Sequence, residues 1–250
     1  MDVLQRVAPC AGPGIGIDLS PKQELALLAR ILHRLGYDDG LSGHITVRQG
    51  DGTFLTNPFA IGWDEICASH VATADGDGNQ VDGPYVINKA TELHFALHRA
   101  RHVEVAIHNH PRWTSTWSSH HRIPPCYDQT SAAMTGTITL VREYDGVVAD
   151  PDVAKKAVAA VGDADIALLA NHGVLVTGAN VPQALWRARV IETRSRNAWQ
   201  VEAMGAGGEP LSSGMSSLLE GAFAEIGGAF PHYFEYMARR EIAADYRVLD

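Results

Sequence analysis

The sequence predicts a mixed α/β fold with antiparallel strands, and three observations carry that prediction. An amphipathic helical pattern is followed by short alternating runs joined by Gly/Asp turns. Two apolar, strand-like runs, Val103 to Pro111 (VEVAIHNHP) and DIALLANHGVLVTG, come later. Helical patterns precede, separate and follow them. With 250 residues, 46% of them hydrophobic and 20% charged, the chain can bury one good core. The expected organisation is a flexible arm over 1–19, then a single domain over 20–250 with a helical C-terminal extension.

Taken in order, Met1 to Ile17 carries AGPGIG, whose Gly and Pro oppose regular structure. Ser20 then offers an N-cap, Pro21 the first helical position and Gln23 the return contact of a capping box. Leu25, Leu28, Leu32 and Leu35 follow at helical spacing, and Gly36 is placed to stop the helix. GLSGHITVR, a QGDG turn and TFLTN read as a hairpin, with Ile45 and Val47 facing one side. Two more short strands flank the DGDG turn at Asp75. Asn88 is placed to cap a helix running to about Arg101, with Leu93, Ala96, Leu97 and Ala100 as its buried stripe. Arg112 to His121 is ambiguous, PPCYDQ is a loop and Thr137 to Val141 a strand. Asp150 and Pro151 start a helix ending near Gly162, and a long helix covers about Val181 to Met204. The Gly-rich MGAGGEP is a linker to the last helical, aromatic-bearing segment.

A net charge of −9 gives no basic footprint for nucleic acid. Cys10, Cys67 and Cys126 are odd in number and widely spaced, which suits a reducing, cytoplasmic setting better than a disulfide framework. No apolar run reaches the roughly 20 residues of a membrane span, and the N-terminus lacks a signal-peptide pattern.

The chemistry concentrates in histidines. Alternate residues of a strand share a face, so His108 and His110 project together, about 7 Å apart, as half of a tetrahedral metal site. The pair alone is equally a strand end with two solvated rings. His172 lies in a turn between two apolar strands, where an unpartnered buried ring costs about 1 to 3 kcal/mol. Asn171 and Gly173 are turn residues, Gly permitting positive φ, so the loop can aim His172 at a neighbour. Backbone carbonyls are one such partner and a metal is another. Together the three histidines match a three-ligand site with open positions for water or substrate.

The helix start at Glu92, the HNHP strand end and the NHG turn, in that order, resemble the class II aldolase/adducin family. SGHITVR, FLTNPFAIGWDEI and the ALWRA helix after NHG support the likeness, which covers about residues 20 to 205. The resemblance implies a three-layer α/β/α fold with a central, largely antiparallel sheet. It implies one divalent transition metal per chain, zinc or manganese, on His108, His110 and His172, and an acidic residue at Glu92. It also implies a homo-oligomer, a tetramer in many relatives, with active sites between subunits.

A metal on three neutral imidazoles keeps its charge and acts as a Lewis acid, so the reaction implied is a carbon–carbon lyase passing through a metal-stabilised, enolate-type carbanion. In an aldol cleavage Glu92 would shuttle the proton and a phenol would serve the departing aldehyde oxygen. Decarboxylation instead needs a donor to the carbanion. Family phosphosugar aldolases carry a Ser-Ser pair before the acid and an asparagine in an SGN turn. Here Ala90-Thr91 and His44 stand at those places, which disfavours a phosphate cradle. His44 can meet a carboxylate as a neutral donor or a cation, while Ser42, Gly43 and Thr91 supply hydrogen bonds.

The expected substrate is therefore an unphosphorylated small-molecule carboxylate or hydroxy-carbonyl compound, and since the family it resembles also contains decarboxylases of hydroxylated aromatic or pyridine carboxylates, the resemblance makes decarboxylation of a hydroxylated aromatic or heteroaromatic acid the preferred reaction. Trp113, Trp117 and Tyr127 would wall a flat ring. Tyr127, oriented by Asp128 or Gln129, is the candidate proton donor. Tyr233 and Tyr236 would reach a neighbouring subunit or simply pack. His94, His98 and His102 are expected to face solvent, His94 being the nearest to Glu92. His120, His121 and Arg122 form a polar cluster, and Arg112 is a further candidate for a carboxylate. Retro-aldol cleavage of an unphosphorylated hydroxy acid or sugar is the alternative reaction. A non-catalytic adducin-like scaffold is the alternative class, disfavoured because such scaffolds lack the full histidine set.

Overall fold

The computed structural model describes residues 12–101, 103–143, 150–205, 207–225 and 229–250. Its strands are β1 (His44–Arg48), β2 (Phe54–Thr56), β3 (Ala72–Ala74), β4 (Gln80–Asp82), β5 (Val105–Asn109), β6 (Ile138–Val141), β7 (Ile166–Leu169) and β8 (Gly173–Gly178). The helices are α1 (Pro21–Arg34), α2 (Glu92–Ala100), α3 (Arg112–Ser119), α4 (Gln129–Ala132), α5 (Pro151–Val161), α6 (Val181–Ala203), α7 (Ser213–Glu225) and α8 (Ala229–Ala244).

The eight strands form one sheet in the order β4-β3-β2-β1-β5-β8-β7-β6, antiparallel throughout except for the β6–β7 pair. Period-two alternation divides it between two cores. On β5, Val105 and Ile107 face a core shared with α1, α6 and α8, while Ala106 faces a second core under α2 and α5. The result is the three-layer α/β/α arrangement with a largely antiparallel sheet. His108 shares the face of Ala106, so β5 carries the histidines to the end of the α2 side.

Local signals account for the elements. Ser20 and Gln23 close the capping box of α1. Asn88 caps a 3-10 turn, Lys89–Thr91, that leads into α2 at Glu92. The ambiguous stretch after HNHP is α3, and Asp128, at the end of the PPCYDQ loop, caps α4 by accepting from Ser131 N at 3.0 Å. Asp150 caps α5.

Two expectations about α2 fail. Ala100 is exposed, and His94 and His98 are buried. The helix lies between the sheet and α5, so its covered face is wider than the apolar stripe alone indicates. His102 and residues 1–11 of the arm lie outside the described residues. Residues 14–19 rest on the body of the protein, with Arg239 of α8 donating to the Gly14 carbonyl and Ile15 and Leu19 against the core.

Candidate metal centre

Two glycines set the backbone of the site. Gly43, just before β1, has φ +90°, and a Cβ there would lie 2.6 Å from the Asn109 side chain and 2.7 Å from the His108 carbonyl oxygen. Only glycine lets β1 enter this close to the histidine strand. At Gly173 a Cβ would lie 2.5 Å from the Asn109 carbonyl oxygen and 2.6 Å from the His110 ring. The left-handed residue of the NHG turn is Asn171, φ 56°, rather than the glycine expected to hold it. Asparagine tolerates that conformation, and Gly173 is required for close approach instead.

The sheet register brings the rings together. His44 on β1 pairs with His108 on β5, which pairs with Leu175 on β8. His110 follows one residue beyond β5, and His172 sits in the β7–β8 hairpin. Ring centroids are 5.1 Å apart for His108 and His110, 4.7 Å for His108 and His172, and 4.9 Å for His110 and His172. One nitrogen from each of the three lies within 4.8 Å of the others.

Tautomers follow from the partners. His108 Nδ1–H donates to the Val174 carbonyl at 3.0 Å, leaving a lone pair on Nε2. His110 Nδ1 lies 3.2 Å from the Asp39 carboxylate, and its Nε2 is buried with no hydrogen-bond partner among the described residues. Burial first, then the neighbouring imidazoles, holds His108 well below the ordinary histidine pKa. Burial and His110 lower His172 to about 4. The His108 and His172 rings are thus neutral at pH 7, the form that binds metals. An orphaned buried nitrogen costs about 1 to 3 kcal/mol, and a divalent cation held by His108, His110 and His172 would remove that cost. The residues fit such an ion.

A cleft of about 180 Å³ opens on these rings. Ser42, Gly43, His44, Asn88, Ala90, Leu93 and the exposed Phe59 line it with them. Burial, then the nearby His172 and His110, lowers His44 to about 3, so the cation, one of the two forms expected to meet a carboxylate, is not the one this site favours. A larger cavity of about 460 Å³, lined by Arg112, Arg189, Arg196 and Tyr233 among others, has none of these histidines in its wall.

Several expected residues stand elsewhere. The Glu92 carboxylate pairs with Arg99 two turns along α2, and Glu92 does not line the cleft. Thr91 is buried, its hydroxyl unpartnered, and does not line it either. Tyr127 packs against the opposite core near Val201 and residue 208. The expected tryptophan wall is absent from the cleft, because Trp113 lies 5.1 Å from Trp199 and buried Trp117 donates to the Ser195 carbonyl at 2.8 Å. Both face α6. Arg122 pairs with Glu202 at 3.0 Å.

Asp39, the partner of His110, escaped the sequence reading, as did two residues from more distant segments. Phe59 is the aromatic that lines the cleft, marked beforehand only by its place in the long TFLTNPFAIGWDEI run. Glu192 of α6 accepts from Trp113 N at 2.9 Å, Thr114 N at 2.8 Å and Thr114 Oγ1 at 2.6 Å, capping α3 directly after the histidine strand. Nothing local marks it, since its partners lie 78 or 79 residues away.

The model of the "Class II Aldolase and Adducin N-terminal domain" family matches residues 23–199. A 4-hydroxy-3-prenylphenylpyruvate oxygenase/4-hydroxy-3-prenylbenzoate synthase from Streptomyces roseochromogenus subsp. oscitans is 29% identical over 199 residues, 77% of this chain and 72% of that protein. The crystal structure of an aldolase II superfamily protein from Pseudomonas syringae superposes with TM-score 0.78 at 28% identity, covering 92% of this chain and 97% of the other. L-fuculose 1-phosphate aldolase from Glaciozyma antarctica PI12 shares the fold with TM-score 0.76 at 22% identity, over 90% and 91% of the two chains.

Proposed function

The chain belongs to the class II aldolase and adducin family, and from that premise we propose that it is a divalent-metal-dependent carbon–carbon lyase that decarboxylates a small hydroxylated aromatic or heteroaromatic acid. The observation that carries the reading is the buried Nε2 of His110, without a hydrogen-bond partner among the described residues, beside the neutral rings of His108 and His172. Zinc or manganese on His108, His110 and His172 would supply Lewis acidity toward a chelating substrate oxygen.

The chain's own residues do the rest. The Val174 carbonyl and Asp39 hold His108 and His110 in orientation. Phe59, Ala90 and Leu93 offer a flat ring an apolar surface that excludes water, and Ser42 offers a hydroxyl. Ala90 in place of a serine removes one contact a phosphate would need. Tyr127 does not line this cleft, so it is not the proton donor within one chain, and the homotetramer we propose rests on membership of the family alone. With Glu92 paired to Arg99, no carboxylate among the described residues lines the cleft, which weighs against retro-aldol cleavage. A scaffold would gain nothing from a ligand-ready triad. The substrate class is also that of the Streptomyces relative, whose name describes a hydroxylated aryl-pyruvate converted to a hydroxybenzoate.

That name favours a second reading, in which carbon–carbon cleavage of an aryl-pyruvate consumes oxygen. Metal-loaded protein is incubated with hydroxylated benzoates and with 4-hydroxyphenylpyruvate, with and without oxygen, while carbon dioxide is measured. Release without oxygen supports the decarboxylase, release only with oxygen supports the second reading, and no release from any acid tested removes both.

A further inference from the structure

A hydrogen-bonded file of four buried side chains runs from the cleft into the α2 side of the sheet. His98 Nδ1 lies 2.8 Å from the Val103 carbonyl oxygen and its Nε2 2.8 Å from Thr46 Oγ1. Thr46 Oγ1 lies 2.9 Å from His94 Nδ1, and His94 Nε2 lies 3.1 Å from His44 Nδ1. All four residues are at most 4% exposed. Their ring nitrogens are all used within the file except one, Nε2 of His44, whose residue lines the cleft.

The file has one polarity when its rings are neutral. A carbonyl oxygen only accepts, so His98 must donate from Nδ1 and carry a lone pair on Nε2. Thr46 has one hydroxyl hydrogen and spends it on that lone pair. Its oxygen must then accept from His94 Nδ1–H, which leaves His94 Nε2 as an acceptor. His44 must donate to it from Nδ1–H. Neutrality is enforced by burial and, at His98, by the Arg48 guanidinium, which donates to the His98 carbonyl at 2.7 Å. Phe54, 4.6 Å from the His98 ring, covers that end.

We propose that the His98–Thr46–His94 file locks His44 in the Nδ1–H tautomer, so that its Nε2 lone pair makes this edge of the cleft a hydrogen-bond acceptor that selects a substrate hydroxyl. The inference deepens the reading of the cleft as a substrate site and rests on it. It reverses the donor role that a histidine facing a carboxylate would have. A carboxylate or phosphate oxygen set against Nε2 would place two lone pairs face to face and leave both unsatisfied, whereas a phenolic or alcoholic O–H completes the file. His44 is thereby a specificity residue, and His94, Thr46 and His98 are positioning residues that act through it.

The tautomer is read directly, without turnover. In zinc-loaded protein labelled with 15N-histidine, long-range proton–nitrogen correlation spectra, assigned with the His44→Asn variant, should show His44 protonated on Nδ1 and bare on Nε2. Thr46→Val removes the middle link and should release that tautomer, while Thr46→Ser keeps the hydroxyl and should retain it. Equilibrium binding then compares 4-hydroxybenzoate with terephthalate, which puts a carboxylate where the hydroxyl stood. Wild type should prefer the phenol by about 10-fold, and Thr46→Val should lose that preference at unchanged zinc content. An Nε2–H tautomer in wild type, a spectrum unmoved by Thr46→Val, or equal affinity for the two acids would overturn the proposal. Failure to decarboxylate, with tautomer and preference as stated, would count against the proposed reaction and leave this inference standing.

Discussion

Gly43→Ala tests how the backbone builds the metal centre. The alanine must either hold φ near +90° or shift the start of β1, and its Cβ arrives 2.6 Å from Asn109 Cγ and 2.7 Å from the His108 carbonyl oxygen. Left-handed backbone costs a non-glycine residue about 1 to 2 kcal/mol, and overpacking a tight site adds about 1 to 3 kcal/mol. The sum is a destabilisation of about 2 to 5 kcal/mol, or a fall in Tm of roughly 5 to 15 °C for a chain of this size. Relief requires moving either the start of β1, which carries His44, or the end of β5, which carries His108 and leads into His110. Metal affinity should therefore fall with stability.

The assay is urea unfolding of metal-free protein followed by far-UV circular dichroism, with zinc titration of the folded protein alongside. Gly50→Ala is the control, since nothing lies within 4 Å of its added Cβ, and it should change stability by about 0.5 kcal/mol or less. A Gly43→Ala protein with the wild-type urea midpoint and zinc affinity would refute the argument that close approach at Gly43 sets the site.

Other consequences are sharp enough to check. Glu192→Leu orphans the Trp113 and Thr114 amides and should cost about 2 to 5 kcal/mol in the same unfolding assay, with Glu192→Gln costing less; a change under about 1 kcal/mol for the leucine variant would remove the cap from the account. Glu92→Gln breaks only a partly exposed ion pair and should change stability by about 1 kcal/mol or less, with zinc content intact by elemental analysis. Lost zinc would instead make Glu92 a ligand. His98 titrates at about 4 in the folded protein against 6.5 ordinarily, so the unfolded chain takes up its proton first as pH falls. Its contribution, about 3 kcal/mol, is intact above pH 6.5 and is lost progressively down to about pH 4. Melting curves across that window should flatten in His98→Leu, and an unchanged slope would contradict the burial argument.

The parts legible in the sequence were those written in local periodicity. Strand alternation put His108 and His110 on one face and SPKQ announced α1 and its cap, while His172 was marked by its turn and joined to the pair through the family resemblance. What could not be read depends on how elements are covered. The stripe of Leu93, Ala96 and Leu97 gives the direction α2 faces but not how far the sheet and α5 wrap around it, so the burial of His94 and His98 was missed. Glu92 and Arg99 lie on the same side of α2, and competition from that neighbour for the carboxylate is settled by side-chain reach, not by motif. Trp113 and Trp117, four residues apart on α3, share a face by helical spacing, yet only the packing of α3 on α6 decides that the face is not the cleft. Phe59 and Glu192 reach the site from distant segments, which a pattern confined to a few residues does not encode.

The central claim is that His108, His110 and His172 together hold one divalent ion. The most direct measurement is elemental analysis of untagged wild-type protein beside His110→Ala and His172→Ala, each purified as made and again after incubation with zinc or manganese. The account predicts close to one transition metal per wild-type chain and its loss in both variants, with each variant still folded by circular dichroism. Wild-type protein that stays empty after incubation with either ion would contradict it.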